Sequence, residues 1–180
     1  RQKVTVSLSA DGGDEIFAGY SQYWRFPKKI NQISKWSFLQ NRISSNLLNG
    51  VSRLIPDNLE RPKHIIESLS NNFKANTDEL VIKTYESSRK MPHFHSKKLF
   101  KHNSKHHYGF NSNNHKLKPI EQLMINDYQN YLQNDILTKV DRATMTHSLE
   151  GREPMLDHRM AEYVARLPIE FKYKNGVTKR

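Results

Sequence analysis

Lys3-Val4-Thr5-Val6-Ser7-Leu8-Ser9-Ala10-Asp11-Gly12-Gly13-Asp14-Glu15-Ile16-Phe17 is the stretch that decides the fold. Val4, Val6 and Leu8 alternate with polar residues, the period of a strand with one buried face. Asp11 to Asp14 break that pattern with two glycines. The apolar positions Ile16, Phe17, Tyr20, Tyr23 and Trp24 then recur at helical spacing, and Pro27 is expected to end the run because it cannot donate to the preceding turn. A strand that passes through a glycine turn into a helix is where nucleotide-binding α/β folds place their ligands. No second alternating run appears downstream. The strand's partners are therefore expected outside this chain, and its N-terminus is read as a cut.

The glycines of the turn let backbone approach a ligand closely and take positive φ. Asp11, Asp14 and Glu15 would repel a bare phosphate unless a divalent cation stood between, and Mg²⁺ typically takes one or two carboxylates plus nucleotide oxygens. The sharp reading is a magnesium-nucleotide site. On these residues alone the default is plainer: a tight turn opening a helix whose first acids suit its dipole.

Outward from the turn, residues 28–87 stay helical in pieces. Ile30 and Ile33, then Ile43, Leu47, Val51 and Leu54, then Leu80, Ile82 and Tyr85 carry the apolar positions, and Pro56 and Pro62 mark breaks. Residues 88–118 lack periodicity and read as a basic loop or insertion. From Arg89 to Lys118 there are eight Lys/Arg, six His and no acid, which supplies most of the net charge of +11. Periodicity returns over 120–168. Leu123, Met124, Tyr128 and Tyr131 form one face and Ile136, Leu137, Val140, Ala143 and Met145 another, with a break near 133–135 that predicts two helices. Asp157 is placed to cap a further helix that buries Met160, Tyr163, Val164 and Leu167 and stops at Pro168.

At 180 residues, with 36% hydrophobic and 26% charged residues, one folded domain is the default and disorder is excluded. No run approaches the roughly 18 apolar residues of a membrane span, and the first residues lack the pattern of a signal peptide, so the expected location is cytoplasmic. The chain has no cysteine, which excludes disulfides, thiolate metal sites and a cysteine nucleophile within it.

A second constellation spans 135–159: Asp135-Ile136-Leu137-Thr138-Lys139-Val140-Asp141-Arg142, then Ser148-Leu149-Glu150-Gly151-Arg152-Glu153-Pro154-Met155-Leu156-Asp157-His158-Arg159. Alone it reads as an amphipathic helix and a turn. Together with Ser9-Ala10-Asp11-Gly12-Gly13-Asp14-Glu15-Ile16-Phe17-Ala18-Gly19-Tyr20 it resembles the asparagine synthetase family, which includes the β-lactam synthetases. The resemblance covers 5–24 and 127–180. It implies a mainly α fragment, one strand followed by a helical array, of an α/β adenine-nucleotide-binding, pyrophosphatase-type synthetase domain. It also implies a carbon-nitrogen ligase that uses ATP and Mg²⁺ to adenylate aspartate or a similar acid. Ammonia from a glutaminase domain then displaces AMP.

Carried over by motif position, Asp11 and Lys179 are the catalytic residues, and Lys179 belongs to the segment 172–180 that ends the chain. Ser9, Gly12, Gly13 and Asp14 shape the nucleotide and pyrophosphate cradle, Asp14 is the metal ligand, and Lys139, Asp141 and Arg142 support. Ala10 departs from the family's glycine, and its Cβ is expected to narrow the cradle. The family's Ser-Gly-Gly-x-Asp-Ser loop does not occur in these residues, so this chain is expected to be inactive alone. A homodimer of the full-length protein is compatible with the resemblance. Two rival readings rest on the basic segment. Its Lys/Arg and His interleaved with Phe94, Phe100, Tyr108 and Phe110 suit nucleic acid, and His93, His95 and His102 to His107 suit a metal.

Overall fold

A computed structural model describes residues 4–39, 45–56, 60–71, 77–89 and 117–179. Backbone contacts divide the chain into two compact units, Arg1–Trp24 with Phe110–Arg180, and Arg25–Gly109. The architecture is mainly helical. No helix among the described residues is long and apolar enough to cross a membrane. Residues 90–116 lie outside the described residues, and with them the histidine and aromatic positions of the two rival readings.

In the first unit, β1 (Val6–Leu8) passes through the glycine turn into a short helix, α1 (Gly13–Ile16). β1 does have a partner in this chain, contrary to the sequence expectation: β2 (Glu150–Arg152) pairs with it in parallel, with Val6 opposite Glu150, Ser7 opposite Gly151 and Leu8 opposite Arg152. Glu150-Gly151-Arg152 carries no alternation and little β-propensity. Backbone hydrogen bonds from Glu150 N to Thr5 O and from Ser9 N to Arg152 O, both 2.9 Å, define the pairing instead. The predicted buried face is also corrected, because Val4 and Leu8 are 56% and 72% exposed.

Pro27 does not end the next helix, as was expected; it lies inside α2 (Gln22–Leu39). It removes one amide donor near the helix start, and burial of Tyr23 and Ile30 on either side carries the helix past it. The second unit adds α3 (Ser45–Leu54), α4 (Glu60–Asn71) and α5 (Thr77–Arg89). Its core contains Ile30, Leu69, Leu80, Val81, Ile82 and Tyr85, with the Phe26 ring edge-on to Tyr85 at 5.3 Å. Ile33, Val51 and Leu54 are exposed, Pro62 lies within α4 instead of ahead of it, and Ile43 and the Leu47 side chain lie outside the described residues.

Back in the first unit, α6 (Pro119–Asn126) opens with Pro at its first position and Glu121 Oε2 accepting from Lys118 N at 2.8 Å. The break expected near 133–135 is absent. The helix runs on through a π-helical segment, Asp127–Leu137, into α7 (Thr138–Thr146). Wide π turns misalign the usual bonding ladder, and side chains engage its carbonyls: Thr138 Oγ1 donates to Gln133 O at 3.1 Å and Asn130 Nδ2 to Asn126 O at 3.1 Å. Leu123, Met124 and Leu132 are buried, whereas Met145 is 60% exposed.

The π segment begins at Asp127, which is fully buried and accepts from the Tyr23 hydroxyl at 3.0 Å. This bond ties the start of α2 to the start of the π segment. Tyr23→Phe is expected to cost about 1–3 kcal/mol, because a buried carboxylate loses a donor that water cannot replace. Urea unfolding reads the cost, and a change below about 0.5 kcal/mol would contradict it.

Asp157 caps α8 (His158–Arg166) as anticipated, accepting from Arg159 N at 2.9 Å, and Arg159's guanidinium and amide hold its carboxyl far below the usual range. Only Val164 of the expected face is fully buried; Met160 and Tyr163 are exposed.

Candidate functional site

Every residue of the predicted site lies in the first unit. The acidic glycine turn is built by local bonds. The Ser9 hydroxyl donates to Asp11 Oδ2 and in turn accepts from Asp11 N at 3.1 Å, so Ser9 orients Asp11. Gly13 N donates to Ala10 O at 3.1 Å to close the turn. Gly12 takes φ +86°, which an L side chain rarely adopts, whereas Gly13 and Ala10 have no positive φ. Ala10 therefore carries no left-handed backbone strain.

Gly12 is also the point where the two sequence motifs meet. A Cβ there would overlap Leu156 Cδ2 and lie 2.9 Å from its Cγ, and one at Gly13 would sit 3.8 Å from Met155 Cγ. Leu156 stands in the single 3₁₀ turn Pro154–Leu156 that follows β2. Leu156 and Met155 therefore lie against the two glycines while β2 pairs with the strand that leads into them.

Lys179 reaches the same turn from the other end of the sequence. Its Nζ lies 2.7 Å from Asp14 Oδ1. The positioning element is a hairpin, β3 (Tyr173–Lys174) and β4 (Val177–Thr178), with Tyr173 opposite Thr178. Asn175 and Gly176 both take positive φ, +52° and +87°, as the two-residue type I′ turn demands. Tyr173 stacks on Trp24 with centroids 6.2 Å apart, and Lys179 N donates to Lys172 O at 3.0 Å. Lys179 itself has φ +55°, an uncommon conformation for a non-glycine residue. An ion pair as exposed as this one contributes about 1 kcal/mol at most, so the hairpin and the ring stack carry the placement.

Behind Asp14, Glu15 is 2% exposed. Its Oε1 accepts from the Tyr20 hydroxyl at 3.0 Å, and its Oε2 has no hydrogen-bond partner among the described residues. Burial pushes the Glu15 carboxyl up, with the Asp14 and Asp127 charges adding to the effect, and burial together with Glu15 pushes the Tyr20 hydroxyl up. Of the three acids, Asp14 meets Lys179, Asp11 is held by Ser9, and Glu15 is buried.

Lys139 is not part of this cluster. It pairs along its own helix with Asp135 at 2.6 Å, and no hydrogen bond or ion pair among the described residues links Lys139, Asp141 or Arg142 to the turn. All three are exposed. The described residues contain no group of three or more His, Asp or Glu able to hold a metal by themselves. One half-buried carboxylate at Asp14 suffices for Mg²⁺ only where a nucleotide supplies most of the oxygens, and that is the usual pattern for this ion. The donor set fits such an arrangement.

Three features escape the sequence reading. The Asn175-Gly176 pair between two short β-prone dipeptides was a hairpin signal in plain view. Gly19 lay within the motif quoted above without a role of its own, and Lys172 had no signal. Lys172 is 6% exposed, and burial pushes its ammonium down while Glu121 partly restores it. A lysine whose folded pKa lies below its unfolded value binds protons less readily when folded, so stability rises with pH from the folded value toward 10.5. Lys172→Met is therefore expected to raise the melting temperature at pH 7, with the gain shrinking as pH approaches 10.5. A gain independent of pH, or a loss at pH 7, would contradict burial of the charge as the cause.

The asparagine synthase family matches the chain over residues 1–180. Among curated proteins, the chain is 29% identical over 186 residues to asparagine synthetase (glutamine-hydrolysing) 1 of Bacillus subtilis, covering 99% of this chain and 27% of that protein. Relatives in Mycobacterium tuberculosis and Mycobacterium bovis, whose names carry the same activity provisionally, are 26% identical over 181 residues, again 99% of this chain and 26% of theirs. The chain thus spans about a quarter of the length of these relatives. No solved structure matches it at a comparable level of significance. With the acidic glycine turn, the Met155-Leu156 pair and the lysine hairpin brought together, and the family matched along its whole length, this chain belongs to the asparagine synthase family.

Proposed function

We propose that this chain supplies part of the ATP site of an amide-forming synthetase that adenylates aspartate and passes the acyl group to ammonia released from glutamine. The observation that carries the reading is the 2.7 Å approach of Lys179 to Asp14, which sets a cation and a carboxylate side by side at a glycine turn. That arrangement suits a polyphosphate: the ammonium faces the phosphate oxygens and the acid holds the counter-ion. The fold this implies is an α/β adenine-nucleotide-binding domain of which the chain is a part.

An oxygen of the aspartate side chain attacks the α-phosphorus of ATP, and the bond to the bridging oxygen breaks with its electron pair leaving on pyrophosphate. Lys179 stabilises the charge that accumulates at phosphorus. Asp14 would hold Mg²⁺, which when bound neutralises the departing pyrophosphate. Ammonia then attacks the acyl carbon, the acyl-phosphate C–O bond breaks, and AMP leaves with its oxygen from aspartate. Asp11, oriented by Ser9, accepts the proton that the ammonia nitrogen sheds. Gly12 and Gly13 shape the cradle through their backbone, with Leu156 packed against Gly12. Lys139, Asp141 and Arg142 act at a distance from this centre in the proposal.

The test is the fate of oxygen. Full-length protein given ATP, glutamine and aspartate labelled with ¹⁸O in its side-chain carboxylate should yield AMP carrying one label per turnover. Unlabelled AMP, or ADP as the nucleotide product, would overturn adenylation. Labelled AMP only with another acid would keep the chemistry and change the acceptor.

A further inference from the structure

Gly19 is the glycine on which the geometry of the site depends most directly. A Cβ built there would overlap Asp14 Oδ1 and lie 2.7 Å from Asp14 Cγ and 2.5 Å from Lys179 Cε. Real Cβ atoms essentially never come that close, so a side chain must displace the carboxylate, the lysine stem or both. The backbone gives no separate reason for glycine, since Gly19 is not among the residues with positive φ. The neighbouring Ala18, fully buried at φ +54°, turns the chain back under α1, and Gly19 N donates to Asp14 O at 2.8 Å. Residue 19 is thereby pinned against the Asp14 carboxylate. Gly13 and Gly50 lack this constraint, for a Cβ meets one ordinary contact at the first and open space at the second.

We propose that Gly19 is a positioning residue of the site: the space left by its missing side chain is what lets Asp14 and Lys179 meet. The importance of that meeting for catalysis rests on the function proposed above, but the steric claim stands on its own. A side chain at 19 would push apart the two groups that are to hold the metal and the phosphate charge, while leaving the rest of the turn in place.

A double-mutant cycle on this chain reads the claim without any assay of activity. Gly19→Ala should lower the melting temperature by about 3 °C in the native background, since displacing the ends of two partly exposed side chains costs little beyond their ion pair, and by less than about 1 °C in an Asp14→Ala, Lys179→Ala background where both crowded side chains are trimmed. An equal drop in both backgrounds would assign the glycine to the backbone and overturn the proposal, as would no drop in either. Should Gly19→Ala fail to fold, recovery of folding in the triple variant supports the claim and its absence refutes it. A spectroscopic readout separates positioning from plain stability: the Lys179 ammonium resonance, identified by its loss in Lys179→Ala, should shift in Gly19→Ala as it does in Asp14→Ala, and should be unmoved in Gly50→Ala. An unchanged resonance in Gly19→Ala contradicts the proposal. These results do not depend on the oxygen-transfer experiment, so failure of either leaves the other standing.

Discussion

Gly12→Ala should destabilise the chain by about 3 kcal/mol, from about 1–2 kcal/mol for placing an L residue at positive φ and a similar amount for overpacking. Gly12 sits at φ +86°, and its absent Cβ faces Leu156 at overlapping distance. The two costs separate by experiment. In a Leu156→Ala background the steric part disappears, so Gly12→Ala should then cost only about half as much, a coupling that urea midpoints resolve. The prediction also ties together two stretches that lie far apart in sequence. The turn needs a bare backbone because the Pro154–Leu156 segment covers it, and that segment is delivered by the strand that pairs with β1. A cost below about 0.5 kcal/mol for Gly12→Ala would mean the turn relaxes freely and the Leu156 contact is incidental.

The second large effect is catalytic. In the full-length protein, Lys179→Met should lower kcat about a thousandfold, the scale typical of a preorganised charge lost from a transition state, while the KM for the acid acceptor stays within about threefold. Stability should barely change, because the Asp14 ion pair is too exposed to contribute more than about 1 kcal/mol. The contrast between a large kinetic loss and a small thermodynamic one is what distinguishes Lys179 from a structural surface lysine. A loss of less than tenfold in kcat would remove it from the proposed role.

The legible and illegible parts of this protein divide along physical lines. The strand and the glycine turn at the start were legible as elements because alternation and glycines are local signals, and so was the Asp157 cap, but the helical spacing read through Ile16 to Trp24 crosses a break at residues 17–21 between α1 and α2. The partner of β1 was not, because Glu150-Gly151-Arg152 has no strand-like pattern and its pairing is decided by where the preceding helix delivers it. Pro27 misled because one missing amide bond near a helix start is a smaller loss than the burial gained beyond it. The π segment hid its continuity, since a wide turn spoils a 3.6-residue period without ending the helix. Within the site, Asp11, Asp14 and the glycines were visible as a motif. Gly19 became meaningful only once the lysine hairpin was seen to arrive above it. Lys139, Asp141 and Arg142 lie in a motif as distinctive as the turn, yet their side chains stand apart from it, which separates resemblance in sequence from membership of the charge cluster.

The central claim is that Asp14 and Lys179 together serve the phosphates of ATP. Aspartate-dependent exchange of labelled pyrophosphate into ATP, measured on the full-length protein with Mg²⁺, tests it most directly. Exchange should be present in the wild type, about a thousandfold slower in Lys179→Met, and comparably impaired in Asp14→Asn. Exchange that persists at wild-type rates in both variants would contradict the account.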